Sequence, residues 1–378
     1  MNKLHLEKSY IDSFNEPTDD IDRVYFHFSC LEYWKKKKNN RWKDLLAYLF
    51  VAFLLPLYFF NGLFTKKRET VRAVFIISSS RESGTYDYTG VFPIELEKEF
   101  PDLKKLVFNR YPSLFSGVLS RDALKLWLQL VRRYPLEGYM NWLCFSHIMS
   151  AERLRKMYSP KAVVNFRMEF NWASSLITKY YEDNGISHIN FMHGDYLADI
   201  RRAFVRFTKC YVFDKHYIDV FLWSRSPKGQ FVVYKPTIHN GIIPKNEHPQ
   251  YYLSYYFSGE EGNIYELVEV LVNLVKIGHV CKVRPHPRYS NKELISKAFE
   301  STGIIIEDCT VPIEQSIADS QYVAGRKSTV LTQAYYAGKT IVIDDISMPE
   351  TYDNMRESMD IMYYREHIRL SKFMNKNE

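Results

Sequence analysis

The chain has 378 residues, of which 46% are hydrophobic and 25% charged, and this ordinary globular composition and length predict two domains. The net charge of +7 suits an anionic partner such as a nucleotide or a phospholipid. The sequence contains no zinc-ligand spacing and no compact nucleic-acid module, so we do not expect it to bind nucleic acid. Five scattered cysteines predict buried thiols in a reducing compartment, and the polar, charged first 40 residues exclude a signal peptide.

The first 70 residues are dominated by an apolar run with basic flanks. Residues 1–23 predict a loose arm, and Arg23–Cys30 predicts a first strand or an aromatic anchor. The run Leu45–Phe64 is just long enough to span a bilayer, but it is basic on both sides and Pro56 would kink it. We predict that residues 45–64 form a re-entrant or in-plane membrane contact, with a buried core helix and a single span as alternatives.

Residues 71–225 alternate between buried strands and amphipathic helices, which predicts a parallel sheet with crossover helices. We interpret this stretch as a Rossmann-like domain on the acceptor side. The predicted strands are Val71–Ser80, 162–166, 188–194 and Lys209–Asp214, and the predicted helices are Leu124–Arg132 and Asn171–Tyr181.

Residues 226–252 are rich in Pro, Gly, Lys and Asn and predict an interdomain linker. In residues 253–345, a first strand is followed by four strand-helix units, the pattern of a doubly wound nucleotide-sugar domain. Residues 346–378 predict a charged helix or tail. The expected fold is therefore GT-B-like α/β, with two Rossmann-like doubly wound domains facing a cleft and an N-terminal apolar segment that contacts a membrane.

A histidine-proline pair follows a predicted strand of the second domain. Arg284, His286 and Arg288 cluster at the end of this strand, and Pro287 would fix the loop. A cationic imidazole between two guanidinium groups suits a diphosphate and could protonate a leaving phosphate. The alternative is an ordinary turn histidine.

A second basic, hydroxyl-bearing segment runs from Gly325 through Arg326 and Lys327 to Ser328 and Thr329. A hydroxyl pair at a helix N-terminus offers hydroxyls and backbone N–H groups to a phosphate, and the two cations add positive charge. The alternative is plain helix capping, which needs only one hydroxyl.

Adjacent carboxylates precede a glycine in the loop after the first strand of the second domain, at Glu260, Glu261 and Gly262. One of the two could serve as the general base that deprotonates a sugar hydroxyl. The alternatives are ordinary loop carboxylates or acids in the first turn of the next helix. With the strand-helix rhythm, all three motifs should lie at one edge of one sheet.

These motifs resemble those of bacterial sialyltransferases of the GT-B fold, including the lipooligosaccharide sialyltransferases and polysialyltransferases, which share acidic-acidic-Gly, His-Pro and Ser-Ser/Thr motifs in this order. The resemblance implies metal-independent, inverting transfer from CMP-sialic acid. It makes Glu260 or Glu261 the base, His286 the acid or phosphate partner, and Ser328 and Thr329 phosphate ligands. This chain has two adjacent glutamates where members of the family often have an aspartate. Which of the two would be the base is therefore not decided.

A strand ending in His193, Gly194 and Asp195 indicates a different chemistry. It resembles the capsule and teichoic-acid transferases of the GT-B fold and the bacterial Kdo transferases, in which a His-Gly at this place can be the base. The resemblance implies that His193 is a base of the N-terminal domain, facing His286 across the cleft, with Asp195 orienting its ring. A strand-end histidine bonded to the backbone is the alternative.

The leading hypothesis is a glycosyltransferase on the cytoplasmic face of the membrane that transfers sialic acid from CMP-sialic acid to a surface glycan: lipopolysaccharide, O-antigen or capsule. No cofactor or metal is expected, and the partners would be the donor, a glycan or lipid-linked glycan acceptor and an anionic membrane surface. A transferase using CMP-Kdo or a CDP-polyol, with His193 as base, is the alternative enzyme. A non-catalytic glycan-assembly protein is the alternative of another class.

Overall fold

The computed structural model of the chain describes residues 3–36, 41–80, 84–85, 88–109, 116–237, 243–244, 246–259 and 261–375. The chain divides into two compact units. The first comprises Met1–His193 and Ala198–Tyr234, and the second comprises Gly194–Leu197 and Lys235–Glu378. Each unit contains a largely parallel sheet connected by helices, so the prediction of two Rossmann-like α/β units is confirmed.

The sheet of the first unit is built around β1, which pairs in parallel with β3 and β4. The sheet continues in parallel through β5, β6 and β7, and the short β2 pairs with β1 in antiparallel fashion. The described strands of this unit are β1 (Ala73–Ser80), β2 (Gly84–Thr85), β3 (Lys104–Asn109), β4 (Ala162–Phe166), β5 (Ser187–Phe191), β6 (Lys209–Val212) and β7 (Phe231–Val233). Its α-helices are α1 (Lys3–Asp12), α2 (Asp20–Trp34), α3 (Arg41–Phe64), α4 (Ile94–Glu99), α5 (Arg121–Arg133), α6 (Gly138–Tyr158), α7 (Ser174–Asp183) and α8 (Lys215–Trp223).

The sheet of the second unit is parallel throughout, in the order β10-β9-β8-β11-β12-β13. The chain proceeds from β8 outward to β10 and then returns to the other side of β8. The boundary between β8 and β11 is therefore a topological switch point, where open α/β sheets bind ligands at the carboxyl ends of their strands. The strands are β8 (Tyr251–Tyr256), β9 (Cys281–Arg284), β10 (Ile305–Ile306), β11 (Ser320–Gly325), β12 (Thr340–Ile343) and β13 (Ile368–Arg369). The α-helices are α9 (Ile264–Lys276), α10 (Lys292–Ala298), α11 (Ile313–Ala318), α12 (Thr329–Tyr336), α13 (Pro349–Glu357) and α14 (Leu370–Asn375).

The described part of the N-terminal segment is helical, so the predictions of a loose arm and of a strand over Arg23–Cys30 were wrong. The carboxylate of Asp19 caps α2 by accepting hydrogen bonds from two backbone N–H groups of its first turn. Ile21, Val24 and Phe28 then recur at helical spacing and enter the core of the first unit. The cap and this spacing favour a helix over a strand.

Helix α3 has two different sides. It runs through Pro56 without interruption and buries one stripe, formed by Ala47, Val51, Leu54 and Tyr58. It approaches α6 so closely that a Cβ atom on Gly138 would lie 2.2 Å from the carbonyl oxygen of Asp44. Its other sides expose large apolar side chains: Trp42, Leu45, Leu46, Leu49, Phe53, Phe59, Phe60, Leu63 and Phe64. Within the described residues, α3 is the one helix whose length and composition would allow it to cross a membrane.

Four strands lie where the sequence predicted none. β2 and β3 fall between predicted elements, β7 lies in the predicted linker and β13 lies in the predicted charged helix or tail. β7 and β13 have three and two residues, which is too short for a periodic pattern. Pairing with the neighbouring strand, rather than the local sequence, defines them. Four of the cysteines are buried and Cys309 is half-buried, and all five are free thiols, in agreement with the prediction.

Candidate functional site

The loop after β8 packs against the loop after β9. Gly259 has a φ of +109°, and a Cβ atom there would lie 2.6 Å from the Cβ atom of Tyr289. The Oε1 atom of Glu261 accepts a hydrogen bond from the backbone N–H of Asn291 at 2.7 Å. The carboxylate of Glu261 therefore anchors the loop that carries His286, and Glu260 lies outside the described residues.

The same loop also packs against the segment after β11. Gly262 has a φ of +63°, and a Cβ atom there would lie 2.6 Å from Nη1 of Arg326. Only glycine combines this backbone conformation with such a close approach. The described parts of the three motifs therefore meet at one edge of the second sheet, as the strand rhythm predicted.

Arg326 is a buried cation at the switch point. The residue is 2% exposed, and neither Nη1 nor Nη2 has a hydrogen-bond partner among the described residues. A guanidinium group stays charged in proteins, and burying it without a partner is costly. This is the arrangement expected of a side chain whose partner is an anionic ligand.

A pocket of about 370 Å³ adjoins Arg326. One wall comes from the segments that follow β8 and β11, and the other comes from α13 and the residue after it. The lining residues are Ser258, Arg326, Lys327, Thr351, Asn354, Met355 and Ser358. The pocket thus combines two cations with hydroxyl and amide groups. The sequence predicted Arg326 and Lys327 as binding residues. It predicted a charged helix or tail for residues 346–378, but not that α13 lines the pocket.

His286 is held as a neutral hydrogen-bond donor. Its Nδ1 atom accepts hydrogen bonds from the backbone N–H groups of Arg288 and Tyr289, at 3.1 and 3.3 Å. With Nδ1 an acceptor, the ring proton resides on Nε2. Partial burial, together with the charge of Arg288, lowers the pKa of His286. The expectation of a cationic imidazole is therefore corrected: the ring can donate from Nε2 while remaining neutral.

Arg284 has a structural role. Its Nη1 atom donates to Glu307 at 2.7 Å, and its Nη2 atom donates to the carbonyl oxygens of Val311 and Cys309 at 2.7 and 3.3 Å. Lys282 binds the other oxygen of Glu307 at 2.6 Å. Arg284 does not line the pocket. The predicted binding role of Arg284 is therefore replaced by a buried ion-pair network below the loop.

The hydroxyl pair is divided between two environments. The Oγ atom of Ser328 accepts a hydrogen bond from the backbone N–H of Val330 at 3.3 Å and caps α12. Thr329 is exposed in the first turn of that helix, and Pro287 is exposed beside His286. Ser328 therefore acts as a helix cap, which is the alternative considered for the hydroxyl pair. The N-terminus of α12 follows directly after Arg326 and Lys327.

His193 of the first unit pairs with a carboxylate that the sequence analysis did not name. Its Nδ1 atom lies 3.2 Å from Oε1 of Glu169, which is 0% exposed. The Nδ2 atom of Asn190 donates to the other carboxylate oxygen at 2.9 Å. The sequence had assigned the orienting role to Asp195, which belongs to the segment Gly194–Leu197 of the second unit. Glu169 and His193 follow the neighbouring strands β4 and β5, and this common edge is the signal that could have revealed the pair.

No family model matches this chain, and no curated protein sequence matches it. Among solved structures, it is similar to the wall teichoic acid polymerase TagF soaked with CDPG, with a TM-score of 0.42, 9% identity, and coverage of 81% of this chain and 78% of that chain. It is also similar to the UDP-GlcNAc 2-epimerases of Methanocaldococcus jannaschii (TM-score 0.42, 12% identity, coverage 78% and 93%) and Neisseria meningitidis (0.44, 12%, 74% and 85%).

Proposed function

We propose that the chain is a GT-B-type glycosyltransferase that uses a nucleotide-activated sugar, and that the second unit binds the nucleotide phosphate. The observation that carries this proposal is the buried guanidinium of Arg326 at the switch point, whose Nη1 and Nη2 atoms have no hydrogen-bond partner among the described residues. A phosphate can accept charge-assisted hydrogen bonds from both Nη atoms at once. Lys327 and the N-terminus of α12 add positive charge beside it.

The reaction is a single inverting displacement. An acceptor hydroxyl oxygen forms a bond to the anomeric carbon, and the bond from that carbon to the phosphate oxygen breaks. The bonding electrons leave with the nucleotide, and the hydroxyl proton passes to a protein base. In this proposal Arg326 stabilises the charge on the leaving phosphate, and His286 donates a hydrogen bond from Nε2. These groups would perform the electrostatic work without a resident metal.

The donor that we propose first is CMP-sialic acid, with a surface glycan of the lipopolysaccharide, O-antigen or capsule type as acceptor. Its support is the order of the three motifs and their convergence at one sheet edge. Glu260 or Glu261 would be the base in this version. The carboxylate of Glu261 accepts a hydrogen bond from the backbone N–H of Asn291, so Glu261 would have to release that N–H to accept a proton.

The second candidate is a transferase that uses CMP-Kdo or a CDP-polyol, with His193 as the base. The pairing of His193 with the buried Glu169 favours it. A carboxylate that accepts from Nδ1–H leaves the lone pair of the imidazole on Nε2, which is the arrangement of a general base.

We also propose that the chain binds the cytoplasmic face of a membrane through α3, which would bring it to a lipid-linked acceptor. The exposed stripe carries nine large apolar side chains, and basic residues flank the helix on both sides. The opposite stripe packs in the core of the first unit, which favours a helix lying in the plane of the membrane over one surrounded by lipid.

The test is nucleotide release by the purified chain with EDTA present, using CMP-sialic acid, CMP-Kdo, CDP-glycerol and common UDP- and GDP-sugars, with and without acceptor glycans. We expect release of CMP from CMP-sialic acid and loss of that release in Arg326→Met. Release from CMP-Kdo or CDP-glycerol alone would select the second candidate. Absence of release from every donor, together with binding of CMP or glycan, would instead indicate a non-catalytic glycan-assembly protein.

A further inference from the structure

We infer that Glu169 is a positioning residue that fixes the ring of His193 as the Nδ1–H tautomer, and so makes Nε2 the proton acceptor. This inference rests on the proposed function in the version that has His193 as base. No motif of the sequence indicated Glu169 or its pairing with His193.

The backbone turns sharply to bring Glu169 to this place. Arg167 directly follows β4 and has a φ of +64°, a left-handed conformation that non-glycine residues rarely adopt. Its backbone N–H donates to the carbonyl oxygen of Phe191 at the end of β5, at 3.2 Å. The following turn, Met168–Phe170, places Glu169 inside the unit at the edge where β5 ends. The unfavourable backbone conformation of Arg167 thus allows the chain to place the carboxylate of Glu169 beside His193.

Asn190 fixes the orientation of the carboxylate. The Oδ1 atom of Asn190 accepts a hydrogen bond from the backbone N–H of Met168 at 2.9 Å, so its amide group cannot be reversed without losing this bond. Its Nδ2 atom must therefore face Oε2 of Glu169, to which it donates at 2.9 Å. This leaves Oε1 of Glu169 for Nδ1 of His193.

The buried cation Arg202 interacts electrostatically with Glu169. Arg202 is 7% exposed, and burial lowers its pKa to about 10, while the charges of Asp199 and Glu169 oppose that shift. A carboxylate only accepts hydrogen bonds, so Nδ1 of His193 must donate. In the reaction, Nε2 takes the proton of the acceptor hydroxyl as the acceptor oxygen bonds to the anomeric carbon of Kdo or to the polyol-bearing phosphorus of a CDP-polyol. CMP leaves with the electrons of the bond that breaks. The resulting imidazolium is stabilised by Glu169.

The variant Glu169→Gln makes a sharp test because Asn190 dictates how the new carboxamide must lie. Asn190 requires an acceptor, so the carboxamide oxygen has to face Nδ2, and the carboxamide NH₂ then faces His193. Nδ1 must become an acceptor, and the ring proton must move to Nε2. We expect ¹⁵N NMR of the imidazole, assigned with His193→Gln, to show Nδ1–H in the parent chain and Nε2–H in Glu169→Gln.

The matched control is Glu152→Gln, which also removes a buried carboxylate from the first unit. Glu152 binds Arg155 on its own helix, α6, and Tyr180 on α7, so the tautomer of His193 should not change. A parent ring that carries its proton on Nε2, or a Glu169→Gln ring that keeps it on Nδ1, would overturn the inference. This measurement needs no donor, so it remains decisive if the proposed function fails.

Transfer kinetics provide the second readout. We expect Glu169→Gln to lower kcat by about a hundredfold with the donor KM unchanged. In a His193→Ala background the same change should have no further effect, because Glu169 acts only through that ring. An equal loss in both backgrounds, or full transfer by His193→Ala, would overturn the positioning role.

Discussion

Two histidines at sheet edges are held in opposite tautomers, each by its own unit. In the first unit, a buried carboxylate faces Nδ1 of His193. In the second unit, backbone N–H groups face Nδ1 of His286. The same side chain is therefore prepared to accept a proton in one case and to donate a hydrogen bond in the other.

The unpaired charge of Arg326 should make the fold less stable than it could be. Replacing Arg326 with Met removes a buried guanidinium that has no partner among the described residues. We expect the free energy of unfolding to rise by about 1–3 kcal/mol, measured by urea denaturation. Natural sequences retain such a cost at sites that bind ligands.

Arg284→Met is the matched comparison, because it also removes a buried arginine at the same sheet edge. Lys282 and Arg284 both form ion pairs with Glu307, and this variant would leave only the ion pair with Lys282. We expect a loss of about 3 kcal/mol. Equal effects of the two variants would contradict the assignment of Arg326 to a ligand and of Arg284 to the fold.

At this scale the sequence predicted which residues gather but not what each one contacts. Arg284 and Arg326 look equivalent in the sequence because Arg284 ends a strand and Arg326 directly follows one, each beside a motif. Only the tertiary structure shows that Glu307 satisfies one of them. Glu169 carried no signal of its own because a single glutamate after a strand is usually an exposed residue.

At the scale of elements, α3 is the part of the chain whose surface most needs a partner. Its apolar residues occur on all sides, so periodicity could not show which stripe would pack against α6. The structure assigns Val51 and Leu54 to the core and leaves Leu49 and Phe53 exposed. The sequence therefore predicted an apolar helix-length segment but not its two-sidedness.

Changing the exposed stripe should abolish membrane binding without unfolding the chain. We expect the double variant Leu49→Glu and Phe53→Glu to lose binding to vesicles that contain anionic lipid, measured by co-sedimentation, because both side chains are more than half exposed. Ile277→Glu, at an exposed position of the second unit, is the control and should bind as the parent does. Unchanged vesicle binding by the double variant would exclude α3 as the membrane contact. If the parent chain is a dimer and the double variant is a monomer, the exposed stripe instead contacts a second copy of the chain.

At the scale of the whole molecule, the two units should respond differently to acid. His27 and His188 are fully buried in the first unit, and burial lowers their pKa values to about 4 and about 3. Below pH 6.5 the unfolded chain binds protons that these folded histidines do not, so the stability present at neutral pH is lost as the pH falls. Burial raises the pKa of Asp20 to about 6, which acts in the opposite sense for one group.

We therefore expect the first unit to lose about 2 kcal/mol of stability between pH 7.5 and pH 5, since two histidines outweigh one carboxylate. The measurement is amide hydrogen exchange of both units at the two pH values. The ion pairs of Glu307 lower its pKa despite burial, so the second unit should keep its network throughout this range. Earlier loss of protection in the second unit would contradict the assignment.

The repeated strand-helix order predicted both sheets because each buried strand carries a continuous apolar run. The sequence could not place the short edge strands β7 and β13, which exist only through pairing with a neighbour. A charged helix or tail was predicted for residues 346–378, but not that α13 forms one wall of the pocket.

The most direct measurement is the binding of CMP to the purified chain by isothermal titration calorimetry with EDTA present. We expect the parent chain and Lys297→Met, which removes an exposed cation of the same unit, to bind CMP equally. Arg326→Met should bind at least tenfold more weakly, because it removes the charged donor of two hydrogen bonds to the phosphate. Failure of the parent chain to bind CMP, or equal binding by Arg326→Met, would contradict a nucleotide site built around Arg326.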